Sequence, residues 1–272
     1  MNSSYMLQII APVLYLAAAV ALGYAIHLDR DVLKRAGVVI AVLGVLLHAG
    51  SFALEFSQLA GPSADFFSSL SLVSLLILAV LLLGMLRYPL LEILPLALPG
   101  AMAMMILKLM IAPEPVALET GSAMLDVHIA ASLVSYSMLS IAAVTALFIA
   151  VQHNLLHRHT GAALIEILPP LVVMENMLFK MIFAGWIVLS LSLATGLVFV
   201  DNLFAQHLAH KTFLSIISWL VFGLLLAGRW RYGWRGMRVV RLCLIGMAIL
   251  LLAYFGSKAV LELILDLRWH AD

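Results

Sequence analysis

The chain has 272 residues, 65% of them hydrophobic and only 11% charged, with a formal net charge of +1 and a mean hydropathy of +1.14. Soluble domains carry about 25% charged residues, so this composition excludes an ordinary water-soluble domain, and the near-neutral charge offers no footprint for nucleic acid. The single Cys243 excludes an intramolecular disulfide and any Cys-x-x-Cys site.

Eight apolar runs are long enough to cross a hydrocarbon core of about 30 Å, which takes about 20 helical residues. They are predicted near 5–28, 36–57, 66–87, 90–111, 123–152, 177–200, 210–229 and 237–264. The expected fold is all-α, a polytopic bundle of eight transmembrane helices occupying 1–272 as one domain. The N-terminus lacks a basic leader and a small-residue cleavage site, so the first run is expected to be a retained span.

Taken in order, the second span places His48, Ser51, Phe52 and Glu55 at i, i+3, i+4 and i+7, on one helix face. The third carries Ser68, Ser71 and Ser74. The fourth carries Pro95 and Pro99 and is expected to be kinked or to begin as a broken helix. The fifth opens with Asp126-Val-His-Ile-Ala-Ala-Ser-Leu-Val-Ser-Tyr136, in which His128, Ser132, Ser135 and Tyr136 form a polar stripe. The connection 153–176 holds His153, His157 and His159, then Pro169-Pro170. With no carboxylate or cysteine at matching spacing, it reads as an interfacial, phosphate-facing segment rather than a metal site. Small residues recur at Ser190, Thr195 and Gly196, and at Ser215 and Ser218, as close helix packing requires. The seventh span starts at His210-Lys211 and the eighth ends with Tyr254, Lys258 and Glu262. Between them, Arg229 to Gly236 forms an Arg- and Trp-rich turn whose sharpness needs its glycines.

Polar side chains inside spans are costly in lipid and must meet protein, water or a ligand. The polar faces of spans 2, 5, 7 and 8 are expected to converge on one outward-opening cavity. From spacing alone, His48, Glu55 and His128 fit hydrogen bonds between helices as well as they fit ligand contacts. The basic residues set the orientation. Grouping alternate connections puts eleven on one side (Arg30 to Arg241) and four on the other (Lys108, Lys211, Lys258 and Arg268). The first group is read as cytoplasmic, with both termini on the outer, periplasmic side.

Leu125 to Tyr136 resembles the histidine-bearing helix of the cytochrome c assembly (CcsA/HemX-like) membrane proteins. The stretches from Ile217, Gly233-Trp-Arg-Gly236 and Ala253-Tyr-Phe-Gly256 are similar to that family's last two spans. Phe66 to Leu75 and Thr195 to Phe204 are similar to its bacterial inner-membrane YpjD branch. The resemblance covers essentially the whole chain. It implies a multi-pass protein of the bacterial inner membrane that binds or handles haem at the outer face, assisting cytochrome c assembly or haem metabolism. By that resemblance His128 matches a haem-ligating histidine. The family's tryptophan-rich segment should fall around Val198 to Lys211, where this chain has Phe199, Phe204, His207, His210 and Lys211 and no tryptophan. A second histidine expected near Ala227 to Arg229 is also replaced.

The expected cofactor is therefore non-covalent haem b, with His128 as iron ligand and His48 as the second. His210 and Lys211 are expected near the propionates and Tyr136 at the site. The expected partners are the lipid bilayer, haem and another membrane protein. No paired carboxylates, nucleophile–base arrangement or phosphate loop occurs, so no enzyme is expected. Two further readings stand beside this one: a regulatory or structural subunit, for example of an ion transporter, and a transporter using His48, Glu55 and Lys258 as a relay.

Overall fold

The computed structural model describes residues 3–59, 65–87, 90–111, 123–158, 168–199 and 206–256. All regular structure among them is helical, and eight of the helices are long and apolar enough to span a membrane. They are α1 (Ser3–His27), α2 (Asp31–Leu59), α3 (Phe66–Gly84), α4 (Leu94–Ile111), α5 (Ala123–His157), α6 (Leu171–Phe199), α7 (Gln206–Tyr232) and α8 (Met237–Leu251), the last continuing into a π turn, Leu252–Gly256.

Local chemistry explains where the helices begin. Asp31 places a carboxylate in the first turn of α2, where it meets the positive end of the helix dipole. Asp65 caps α3, accepting the Ser68 N–H at 2.8 Å. A turn at Leu91–Ile93 precedes α4, so Pro95 falls in the first helical turn, where its missing N–H costs no hydrogen bond, and only Pro99 lies inside. That is the broken start expected of this span. Helix α6 starts at Leu171, earlier than the predicted 177, because Pro169-Pro170 favours a helix start rather than extending the loop: the Pro170 carbonyl accepts from Val173 and Met174. Helix α5 runs on to His157, so His153 lies on its last turns. Gly233 and Gly236 both take positive φ, 66° and 64°, a region that costs a Cβ-bearing residue strain. Glu175 Oε1 accepts the Gly236 N–H at 3.0 Å and closes the start of α8.

The described residues fall into two compact units, 3–111 and 123–256. In the first, α1 packs along α2 and α4, and α3 packs on α4. Backbones approach closely there. A Cβ on Gly37 would stand 2.6 Å from Leu22 Cγ, and one on Gly44 would stand 2.8 Å from Tyr15 Cε1. Tyr15, Leu22, Leu78, Leu94, Leu98 and Met105 are fully buried. In the second unit α5 lies along α6, and α8 packs on α5 and α7. Leu139, Leu178, Ile182, Phe222, Leu225 and Cys243 form its centre. Lipid tails are as apolar as these side chains, so close packing and hydrogen bonds between helices, rather than escape from water, hold each unit together.

Candidate functional site

In the second unit, helix α5 turns its polar stripe toward α6. His128 is half-buried near the start of α5. Its Nδ1 lies 2.8 Å from the Ser192 carbonyl oxygen and 3.2 Å from Thr195 Oγ1. A carbonyl oxygen can only accept, so Nδ1 carries the proton. The Thr195 hydroxyl donates back to the Ser192 carbonyl at 2.9 Å, leaving its oxygen to share the imidazole proton. Nε2 of a neutral ring then presents a lone pair, and among the described residues no group hydrogen-bonds it. Gly196 makes this ring position possible. A Cβ there would stand 2.8 Å from His128 Cε1, so Gly196→Ala would push the imidazole out of its seat.

Below the ring the stripe is fully engaged. Ser132 Oγ donates to the His128 carbonyl at 2.8 Å and meets Ser192 Oγ at 2.7 Å. Ser135 Oγ donates to the Gly185 carbonyl at 3.0 Å. Tyr136 is buried, its hydroxyl donating to the Leu250 carbonyl at 3.3 Å and its ring tilted against Tyr254. The stripe thus tethers α5 to α6 and α8, and among the described residues His128 ends it with a nitrogen that no group hydrogen-bonds.

His48 lies in the first unit and is differently held. It is 0% exposed. Tyr15 Oη meets its Nδ1 at 3.1 Å and Ser71 Oγ meets its Nε2 at 3.0 Å, so both ring nitrogens are engaged. Phe52 stacks on the ring at 5.5 Å. The Lys108 ammonium lies over the Phe52 ring, 4.0 Å from its centroid, and donates to Glu55 Oε2 at 2.6 Å. Both side chains of this ion pair are 8% exposed. Sequence reading put Lys108 among the loop charges. Its place on the last turn of α4 makes it the intramembrane partner of Glu55 instead. The polar face of α2 is therefore engaged within its own unit by Tyr15, Ser71 and Lys108.

The other sequence-predicted positions fall as follows. Lys211 is half-buried at the start of the membrane-spanning part of α7. The side chain of His210, and Lys258, Glu262 and His270, lie outside the described residues, as does His159. His153 and His157 are exposed, and among the described residues no group of His, Cys, Asp or Glu is arranged to hold a metal ion. Sequence reading missed Trp186. Its ring stacks on Trp219 at 5.3 Å, its Nε1 donates to the Trp219 carbonyl at 3.0 Å, and Trp219 Nε1 donates to Ser190 Oγ at 2.7 Å. A mid-span tryptophan followed four residues later by a serine was the available signal. At the opposite end of the unit, Arg229 stacks on Phe179 and reaches the Trp234 carbonyl, while Trp234 folds onto Gly228.

A polytopic helical membrane protein with a tethered, half-exposed histidine on its fifth span is the class these features define. The chain belongs to the cytochrome c assembly protein family, whose model, "Cytochrome C assembly protein", matches residues 36–265. It is 36% identical over 237 residues to "Inner membrane protein YpjD" of Escherichia coli strain K12, covering 85% of this chain and 88% of that one. The same values hold for YpjD of Escherichia coli O157:H7. It is also 36% identical over 143 residues to an uncharacterized 28.8 kDa protein of Azospirillum brasilense, covering 52% of this chain and 53% of that one. No solved structure matches significantly. Eight spans and relatives of this kind make the chain a multi-pass inner-membrane protein.

Proposed function

We propose that the chain binds haem b non-covalently and handles it, without transforming it, during cytochrome c assembly or haem metabolism. Membership of a cytochrome c assembly family supports haem as the group involved. The observation that carries the reading is the His128 imidazole, whose Nδ1–H is donated to the Ser192 carbonyl at 2.8 Å. Axial ligation needs a neutral imidazole with one bare nitrogen, and a backbone carbonyl on the other nitrogen fixes both tautomer and ring direction. Ser192, Thr195 and Gly196 supply that orientation, so the residues present fit the group. When bound, haem would supply an iron centre, and His128 would be the residue that holds it. His210 and Lys211 are the proposed propionate partners, through charge-assisted hydrogen bonds, and Tyr136 bounds the site on the deeper side. His48 could act as the second ligand only by giving up Tyr15 or Ser71.

The test is the Soret absorbance of detergent-purified protein with haem added, wild type against His128→Ala. A band in the wild type that shifts or is lost in the variant is expected. A flat spectrum from folded wild type would remove haem and leave the second reading, a regulatory or structural membrane subunit, which the fully engaged His48 favours. We also propose that the arginine-rich ends face the cytoplasm and both termini the outside. Cysteines placed at Ser63 and Arg158 are then expected to label from opposite faces, and labelling from one face would reverse that assignment.

A further inference from the structure

The first unit carries a feature that haem does not use. Among the described residues, the buried side-chain oxygens without a hydrogen-bond partner include Glu55 Oε1, Asp65 Oδ2 and Ser68 Oγ. All three belong to one end of the unit. The Ser71–His48 hydrogen bond, 3.0 Å long, ties α3 to α2, and α2 ends at Leu59 only a few residues before α3 begins at Phe66. Glu55 stands seven residues beyond His48, and Asp65 six residues before Ser71, each about 10 Å from the tie in the same direction at 1.5 Å per residue. Ser68 lies one turn from both Asp65 and Ser71, on the α3 face that reaches α2. It is 1% exposed, and its oxygen is unpartnered.

Among the described residues, the charges at this end do not cancel. Glu55 and Asp65 bring two carboxylates and Lys108 one ammonium, which is already committed to Glu55 Oε2. The nearest other titratable groups among the described residues are His48 on α2 and Tyr15 on α1, hydrogen-bonded to each other, with Ser71 on the second His48 ring nitrogen. Among the described residues this leaves one carboxylate charge without a counter-charge and three buried oxygens without hydrogen-bond partners, each costly away from water. Oxygen-only donors suit a hard cation, and a single charge balances the sum.

We propose that this end of the first unit binds one hard monovalent cation, a proton or an alkali metal ion, at Glu55 Oε1, Asp65 Oδ2 and Ser68 Oγ, with Lys108 locking the other oxygen of Glu55. The site rests on Glu55, Asp65 and Ser68, none of which the haem reading uses. The test is the thermal unfolding midpoint of haem-free, full-length protein in detergent, at constant ionic strength, in sodium, potassium or choline chloride. A ligand that binds only the folded state raises the midpoint by mass action. A rise of several degrees in sodium or potassium over choline, smaller in Ser68→Ala and absent in Glu55→Gln, identifies an alkali ion. No ion effect but a rise from mildly alkaline to mildly acidic pH, absent in Glu55→Gln, identifies a proton. Ser68→Ala removes only the unpartnered hydroxyl and keeps the ion pair, so it remains informative if Glu55→Gln does not fold. A wild type indifferent to ions and pH, or a response that both variants keep in full, overturns the proposal.

Discussion

The two units each hold a histidine beside a serine on a neighbouring helix, and they use it in opposite ways. His48 is closed: Tyr15 and Ser71 take both ring nitrogens, Phe52 covers a face, and nothing of the residue reaches the surface. His128 is open: Ser192 and Thr195 share one nitrogen, and among the described residues nothing hydrogen-bonds the other. The difference does not come from the helix face, since both residues sit on polar stripes with the same 3.6-residue spacing. It comes from the second partner. On α1, Tyr15 reaches His48, whereas among the described residues of the second unit no side chain reaches the far nitrogen of His128. A histidine completed by protein groups is a structural joint. A histidine aimed by one of them has the orientation that the proposed ligand role requires.

Breaking the closed side should have the largest effect. Glu55→Ala leaves the Lys108 ammonium buried without its 2.6 Å partner, and losing one member of a buried pair costs about 3–5 kcal/mol. Chemical unfolding of purified protein should register that loss in the first unit while the second unit's haem spectrum is unchanged. A smaller effect is expected where the open histidine is aimed. Gly196→Ala places a methyl 2.8 Å from His128 Cε1 and turns the ring off the Ser192 carbonyl. Outer-shell disruption of this kind costs about 10- to 100-fold in metal affinity, measurable as a weakened haem dissociation constant with the unfolding midpoint little changed. The smallest effect lies outside both sites. The hydrogen bond and charge of Lys34 hold the Asp29 carboxyl below its usual range. A carboxyl so depressed stabilises the fold above its ordinary pKa, and that contribution fades as pH falls through the lowered value. Because Asp29 is fully exposed, Asp29→Asn should change the acid limb of stability only slightly, and less still in high salt.

Much of this architecture could be read from the chain. Hydropathy located all eight spans, and the turn glycines at 233 and 236 and the broken start at Pro95 followed from backbone chemistry. The 3.6-residue period also put His48 with Glu55, and His128 with Ser132 and Ser135, on single faces. What periodicity cannot supply is the neighbour. Glu55 and Lys108 are 53 residues apart, and nothing local distinguishes a lysine that pairs inside the membrane from one that snorkels out of it, so Lys108 was grouped with the loop charges. The His128 partner was hidden for another reason: the acceptor is a backbone carbonyl, which any residue at 192 would carry. Gly196 and Thr195 looked like packing residues because small size serves packing and ring placement equally. Trp186 went unnoticed because its indole is engaged by a carbonyl on a helix that the sequence alone does not place beside it.

The central claim is that the second unit's histidine, and not the first's, presents a nitrogen to iron. The most direct measurement is a haem titration of wild type, His128→Ala and His48→Ala in detergent, followed in the Soret region beside the unfolding midpoint of each. The account predicts that His128→Ala loses the wild-type band while remaining folded, and that His48→Ala keeps the band while losing stability. A His128→Ala protein with an unchanged Soret spectrum and affinity would contradict it.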